Sequence, residues 1–311
     1  MESILSSGNP GAICIVGMHR SGTSMIARLL NLCGLYLGPA DMLLGPDAAN
    51  PLGHFEHKRF LAIDRKLLKH FRATWYEPPE LKPGWERCPE LQSLADEARM
   101  VVATFPPRSA WGWKEPRSAI FLPFWKEVIP NMRFVICIRN PLEVARSLEK
   151  RNRIRLEKGA SLWYRYTRDS LADTEGSERI LTFFDDFFGS DSAEIHRVIE
   201  FCGLQKQVDK SVIGKAIAGE LRHYTSETSE LLKENRMSLE CKLFYTGLRD
   251  LLFHKELDRK QPDRVSAALA EFMKLFKEDS DSSAALASLS TPNPRVPPTS
   301  KLRKLFNALK G

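Results

Sequence analysis

Long apolar runs are missing from this chain of 311 residues. No window reaches the roughly 18 apolar residues that a membrane-crossing helix requires. The opening MESILSSGNPGA has no basic stretch leading into an apolar core, which argues against a secretory leader. The six cysteines (Cys14, Cys33, Cys88, Cys137, Cys202 and Cys241) form no CxxC pair and none of the spacings of a zinc site, so reduced, mostly packed thiols and no metal are expected. No internal repeat is evident. These absences together point to a soluble protein of a reducing cytoplasm. What is present is a hydrophobic content of 43%, enough for one large core, and a net charge of +7 that suits an anionic ligand, a polyanion or an acidic surface without choosing among them.

Apolar periodicity divides the chain into strand and helix units. AICIVG, Ala12 to Gly17, is a short β-branched run bounded by glycines and reads as a strand buried on both faces. From Ser21 to Gly34, the residues Met25, Ile26, Leu29, Leu30 and Cys33 recur at helical spacing. RFVICI, Arg133 to Ile138, repeats the pattern: Asn140 is a good N-cap and Pro141 a good first helical residue, so a helix to about Asn152 should bury Leu142, Val144, Ala145 and Leu148. RILTFF, Arg179 to Phe184, is a third strand, followed by a helical stretch from Ala193 to Cys202. Residues 50–130 read as mainly helical or irregular, with WGWKEPRS at 111–118 among them. The alternation predicts an α/β fold, P-loop-like, with three α/β/α layers around a mostly parallel sheet and a helical C-terminal part from about Glu220 to Lys277. One domain over 1–278 is expected, then a linker rich in Ser, Ala, Thr and Pro at 279–300. The basic amphipathic tail 301–311 carries Leu302, Leu305, Phe306 and Leu309 on one face. Docking or fraying is the commoner fate of such a tail; a peripheral membrane contact or a partner stays open beside it.

Chemistry is carried first by Gly17-Met18-His19-Arg20-Ser21-Gly22-Thr23-Ser24. A glycine turn between a buried strand and a helix aims backbone N–H groups at one point, where the helix dipole adds positive potential, so the loop is a ready anion site. The spacing GxxxxG matches a nucleoside-triphosphatase loop, but Thr23 stands where that motif needs lysine. A kinase is disfavoured accordingly, although Arg20 can meet an anion from within the loop.

GMHRSGTS resembles the 5′-phosphosulfate loop of sulfotransferases that use 3′-phosphoadenosine-5′-phosphosulfate (PAPS), especially the bacterial, carbohydrate and tyrosylprotein branches, which carry arginine there. FVICIRNPLEVARS is similar to the 3′-phosphate motif of that family, with Arg139 at the end of a strand and Ser147 eight positions later. An arginine and a hydroxyl so placed can share one dianionic phosphate. Trp111-Gly-Trp-Lys-Glu-Pro-Arg117 resembles a third family segment, W-x-W-K-D-P-R, with Glu115 for aspartate. The likeness extends over roughly residues 12–205.

The resemblance implies metal-independent, in-line transfer of a sulfuryl group from PAPS to an acceptor hydroxyl, with adenosine 3′,5′-bisphosphate (PAP) as product. It implies that Gly17, His19, Arg20, Ser21, Gly22, Thr23 and Ser24 hold the 5′-phosphosulfate and that Arg139 and Ser147 hold the 3′-phosphate. Arg20 also counts among the catalytic groups, and Lys114 meets leaving-group charge. Asn50-Pro-Leu-Gly-His-Phe-Glu56-His57 is similar to a family segment ending in the catalytic base, so Glu56 is the base by resemblance, with His54 and His57 as competitors. For adenine, Phe184 ahead of Asp185 and Asp186 is one aromatic candidate, and Trp163, Tyr164 and Tyr166 are others. A saccharide or glycoconjugate is the favoured acceptor, by likeness to carbohydrate-modifying members alone, and no nucleic-acid partner is expected. A P-loop kinase and a non-catalytic nucleotide- or polyanion-binding module are the alternative readings.

Overall fold

Short β-branched and aromatic segments form one parallel sheet in the computed structural model, which describes residues 11–47, 50–106, 109–188, 193–204, 217, 226–255 and 269–274. Its strands are β1 (Ala12–Val16), β2 (Trp111–Lys114), β3 (Arg133–Ile138) and β4 (Arg179–Phe183). They lie in the order β2-β1-β3-β4, and every neighbouring pair is parallel. Apart from the first residue of β3 and of β4, every strand residue is buried, which is what continuous apolar runs require when helices cover both faces.

The helices of the first part are α1 (Thr23–Leu32), α2 (Lys58–His70), α3 (Gln92–Val102), α4 (Leu122–Val128), α5 (Pro141–Asn152), α6 (Leu156–Asp173) and α7 (Ala193–Phe201). Apolar stripes of α1 and α7 pack with Ile13, Ile15, Val135, Cys137 and Ile180 in one core. On the opposite face the alternate side chains meet α2 and α4: the Phe60 ring stacks on Trp113 at 4.6 Å, and Trp125 lies 5.3 Å from Trp113. Offset aromatic contacts of this kind add to the area they bury. The result is the three-layer α/β/α arrangement that the strand–helix alternation implies.

Two differences from the sequence expectations stand out. WGWK is a full member of the sheet rather than irregular, with Trp111 to Lys114 in register with Ala12 to Ile15. Its four residues give no measurable alternation, and only pairing with β1 makes it a strand. The chain also divides into two compact units, Met1–Ser226 and Glu227–Gly311, so the domain expected over 1–278 spans the first and part of the second. In the second unit α8 (Thr228–Lys233) and α9 (Leu239–Lys255) are joined by Lys242, whose Nζ donates to the Leu232 carbonyl at 3.0 Å. Phe272, in the helical stretch 269–274, packs on Phe244 with ring centroids 5.6 Å apart. The expected linker 279–300 and tail 301–311 lie outside the described residues. All six cysteines are free, five of them buried and Cys88 exposed. Among the described residues no helix is long and apolar enough to cross a membrane.

The strand order places the site. β1 has β2 on one side and β3 on the other, so the winding reverses at β1, and the crevice outside the carboxyl ends of β1 and β3 is where such sheets take ligands. Both glycine-loop and Arg139 junctions leave the sheet at that edge.

Candidate active site

The loop after β1 has its shape because two glycines let the backbone come close to its neighbours. At Gly17 a Cβ would stand 2.4 Å from the Cys137 carbonyl oxygen, and at Gly22 (φ 85°) it would stand 2.2 Å from the Phe184 ring. A side chain at either position would have to displace its neighbours. Arg20 itself is left-handed (φ 72°), a conformation that costs a non-glycine residue about 1 kcal/mol or more. The Ser21 N–H donates to the Met18 carbonyl at 3.1 Å and closes the turn. α1 then starts with Gly22 as N-cap, no capping side chain and no acid in its first turn, so its N–H groups and positive dipole end face the loop. Ser21 is fully buried, and neither its Oγ nor the buried His19 Nε2 has a hydrogen-bond partner among the described residues.

The second junction is built as its sequence implies. Asn140 Oδ1 accepts from the Leu142 N–H at 3.0 Å, and Pro141 opens α5. Its two marked residues then turn toward the glycine loop. Arg20 Nε donates to Ser147 Oγ at 2.9 Å, and Arg139 Nη1 donates to the Arg20 carbonyl at 3.3 Å. The Arg139 guanidinium also covers the Phe184 ring at 4.3 Å from its centroid, so Phe184 touches both junctions. Residues 127 positions apart are thereby joined by one hydrogen bond.

Beside this lies a buried ion pair. Lys114, the last residue of β2, donates from Nζ to Glu56 Oε1 at 2.7 Å, with side chains 1% and 10% exposed. Glu56 is held there by the pairing of residues 43–44 with 56–57: Leu44 N–H donates to the Glu56 carbonyl at 2.8 Å. Burial pushes the Glu56 carboxyl up, but the Lys114 charge and hydrogen bond outweigh it and leave it below the ordinary carboxylate range. His57 serves otherwise: its Nδ1 accepts from the Arg59 N–H at 3.3 Å as the N-cap of α2, and burial with the Arg59 charge pushes it down to about 4. His54 pairs with Asp47 at 2.9 Å.

A family model described as the sulfotransferase family matches residues 10–208, more than half of the chain. This chain belongs to that family. Among solved structures it is similar to the sulfotransferase domain of the olefin synthase of Synechococcus PCC 7002, at 15% identity over 76% of this chain and 88% of that one, with a TM-score of 0.40. It is similar to sulfotransferase STF1 of Mycobacterium tuberculosis H37Rv at 15% identity over 66% and 70% of the two chains, TM-score 0.38. A third, sulfotransferase STF9 of Mycobacterium avium, stands at 15%, 72%, 71% and 0.38. None of the curated proteins matches the sequence.

In this sulfotransferase a group of buried acids that sequence reading missed lies within electrostatic reach of the ion pair. Glu115, fully buried, accepts at Oε1 from the Arg117 N–H (3.0 Å) and Nη1 (2.6 Å). Burial, and then the Glu56 charge, push it up to about 7. Asp64 accepts from Ser118 Oγ (2.6 Å) and Trp125 Nε1 (2.9 Å), and burial followed by Glu115 raises it well above the carboxylate range. An acid among the apolar positions Phe60, Ile63 and Leu67 of α2 was the available signal for Asp64. His19 lies against Trp75 with ring centroids 4.5 Å apart; burial, then Arg117, Lys114, Arg151 and Arg20, hold its imidazole well below the usual range and so neutral. Trp163, Tyr164 and Tyr166 are buried in α6, and the Tyr166 hydroxyl donates to the Trp75 carbonyl at 2.7 Å. A cavity of about 570 Å³ opens at the opposite, amino-terminal edge of the sheet around Gly11, Arg133 and Glu178, and none of the candidate residues lines it.

Proposed function

We propose that this sulfotransferase moves the sulfuryl group of PAPS to an acceptor hydroxyl, with a saccharide as the favoured acceptor. The observation that carries the reading is the Arg20–Ser147 hydrogen bond, which joins two anion-binding junctions at one edge of the sheet beside the Lys114–Glu56 pair. PAPS suits the residues present: donors predominate, the helix end is uncapped, and buried Ser21 Oγ and His19 Nε2 have no hydrogen-bond partner among the described residues. Bound PAPS supplies an activated sulfuryl group whose departure leaves charge on a phosphate oxygen.

The chain's part is positioning and charge. Gly17, His19, Arg20, Ser21, Gly22, Thr23 and Ser24 form the pocket for the 5′-phosphosulfate; Arg139 and Ser147 take the 3′-phosphate; Phe184 offers its ring to adenine. Lys114, a compact ammonium, meets the charge that develops on the departing side. Glu56 accepts the acceptor's hydroxyl proton. Pairing with Lys114 keeps this buried carboxylate ionised, and protonation of Glu56 releases Lys114 from it. The geometry of His57, spent as a helix cap, favours Glu56 over it as base.

The test is incubation of the full-length protein with PAPS labelled on sulfur and a panel of glycans, peptides and small alcohols. Label should pass to a saccharide with release of one PAP per transfer, and Arg20→Ala should abolish transfer while folding is retained. Binding of PAP without product would indicate a polyanion- or nucleotide-binding module. A thermal shift with ATP and magnesium but none with PAP would indicate a kinase, against which Thr23 in place of lysine already speaks.

A further inference from the structure

Helix α5 carries a buried carboxylate beside the arginine that is to receive phosphate. Glu143 sits one turn after Arg139, fully buried, and its Oε2 accepts from Arg139 Nε at 2.7 Å. A negative charge beside a guanidinium that is to receive phosphate lowers the local potential, so its contribution has to be geometric. Three contacts fix the guanidinium: Nε on Glu143, Nη1 on the Arg20 carbonyl, and one face on the Phe184 ring. A planar fork gains most from such fixing, because its donors keep rigid directions.

Glu143 has a second bond. Its Oε1 accepts from the Ser226 N–H at 2.6 Å. Two neighbours on α5 hold the same residue: Asn140 Nδ2 donates to the Ser226 carbonyl at 3.0 Å, and Arg146 Nη1 donates to Ser226 Oγ at 3.1 Å. Ser226 is therefore gripped through N–H, C=O and hydroxyl by the first two turns of the helix that carries Ser147. Burial raises the Glu143 carboxyl while Arg139 and the Ser226 N–H work against that rise, so its two partners are what make an ionised carboxylate tenable there.

We infer that Glu143 is a positioning residue that aims Arg139 and ties it to the chain at Ser226, and that it thereby sets selectivity for nucleotides with a 3′-phosphate. The inference rests on the reading that Arg139 and Ser147 hold that phosphate. Titration calorimetry of the full-length protein with PAP and with adenosine 5′-monophosphate separates the two. Wild type binds PAP more tightly; Glu143→Gln weakens PAP on the order of tenfold and leaves the monophosphate within about twofold. Equal losses on both ligands, or no loss on PAP, overturn the role of Glu143 while the wild-type preference stands. A wild type without preference removes the 3′-phosphate reading and the inference with it. Glu143→Asp, which keeps the charge and shortens the reach, carries the same comparison should the glutamine variant not fold: a loss confined to PAP supports the inference, and a loss shared by both ligands overturns it.

Discussion

The proposed anion-binding side of the site and its proposed proton-accepting side are made in different ways. The first consists of two strand-to-helix junctions, residues 17–24 and 139–147, each complete within one short segment and brought together because β1 and β3 are sheet neighbours. The second is a pair of side chains, Glu56 and Lys114, from an irregular segment and an edge strand, with the charges of Glu115 and Arg117 near it. Backbone geometry dominates one and buried electrostatics the other. The lesson is that the two sides should fail differently when altered.

The largest expected effect falls on the proton-accepting side. Glu56→Gln should lower turnover on the order of a thousandfold while PAP binding measured by calorimetry changes little. A parallel loss of both would reduce Glu56 to a structural role and erase the contrast. Lys114→Met should cost stability as well as rate, because it leaves Glu56 buried and unpaired, at about 3–5 kcal/mol by denaturant unfolding. Adding Glu56→Gln to that variant should restore much of the stability and none of the turnover. Failure to recover would mean that the pair's charge is not what matters.

On the other side, Gly22→Ala should cost about 1–3 kcal/mol in the same unfolding assay and weaken PAP, because it introduces both a left-handed alanine and a contact with Phe184. Normal stability with normal affinity would show the loop to be more plastic than its contacts imply. The smallest effect is a shape rather than a loss. Glu56 lies below the ordinary carboxylate range, so its basic form survives as pH falls and vanishes only beneath that lowered value. Turnover should therefore stay level on the acid side through the range in which an unperturbed histidine would already have lost its basic form. A loss of turnover within the ordinary histidine range would take the role from Glu56.

The legibility of each side follows the same division. Strands β1, β3 and β4, helix α5 with its Asn140 cap, and both strand-to-helix junctions could be read from residues a few positions apart, because capping, glycine turns and apolar periodicity are local. β2 could not: four residues have no period, and their extended form depends on the register with Ala12 to Ile15. Asp64 reads as one polar residue in an amphipathic helix until Ser118 and Trp125 are seen donating to it. Glu56 was the base by resemblance with His54 and His57 as competitors, and only the fold shows His57 capping α2 and His54 paired with Asp47.

The sequence by itself determined the α/β alternation, the glycine loop with arginine in it, and the second arginine–serine junction, since each is written in contiguous residues whose backbone preferences are strong. Only the tertiary structure decided that Arg20 meets Ser147, that Lys114 neutralises Glu56, and that Glu143 braces Arg139 against Ser226. Those contacts join residues whose separation along the chain carries no local signal, and the charge state of a buried group depends on which neighbour the fold delivers to it.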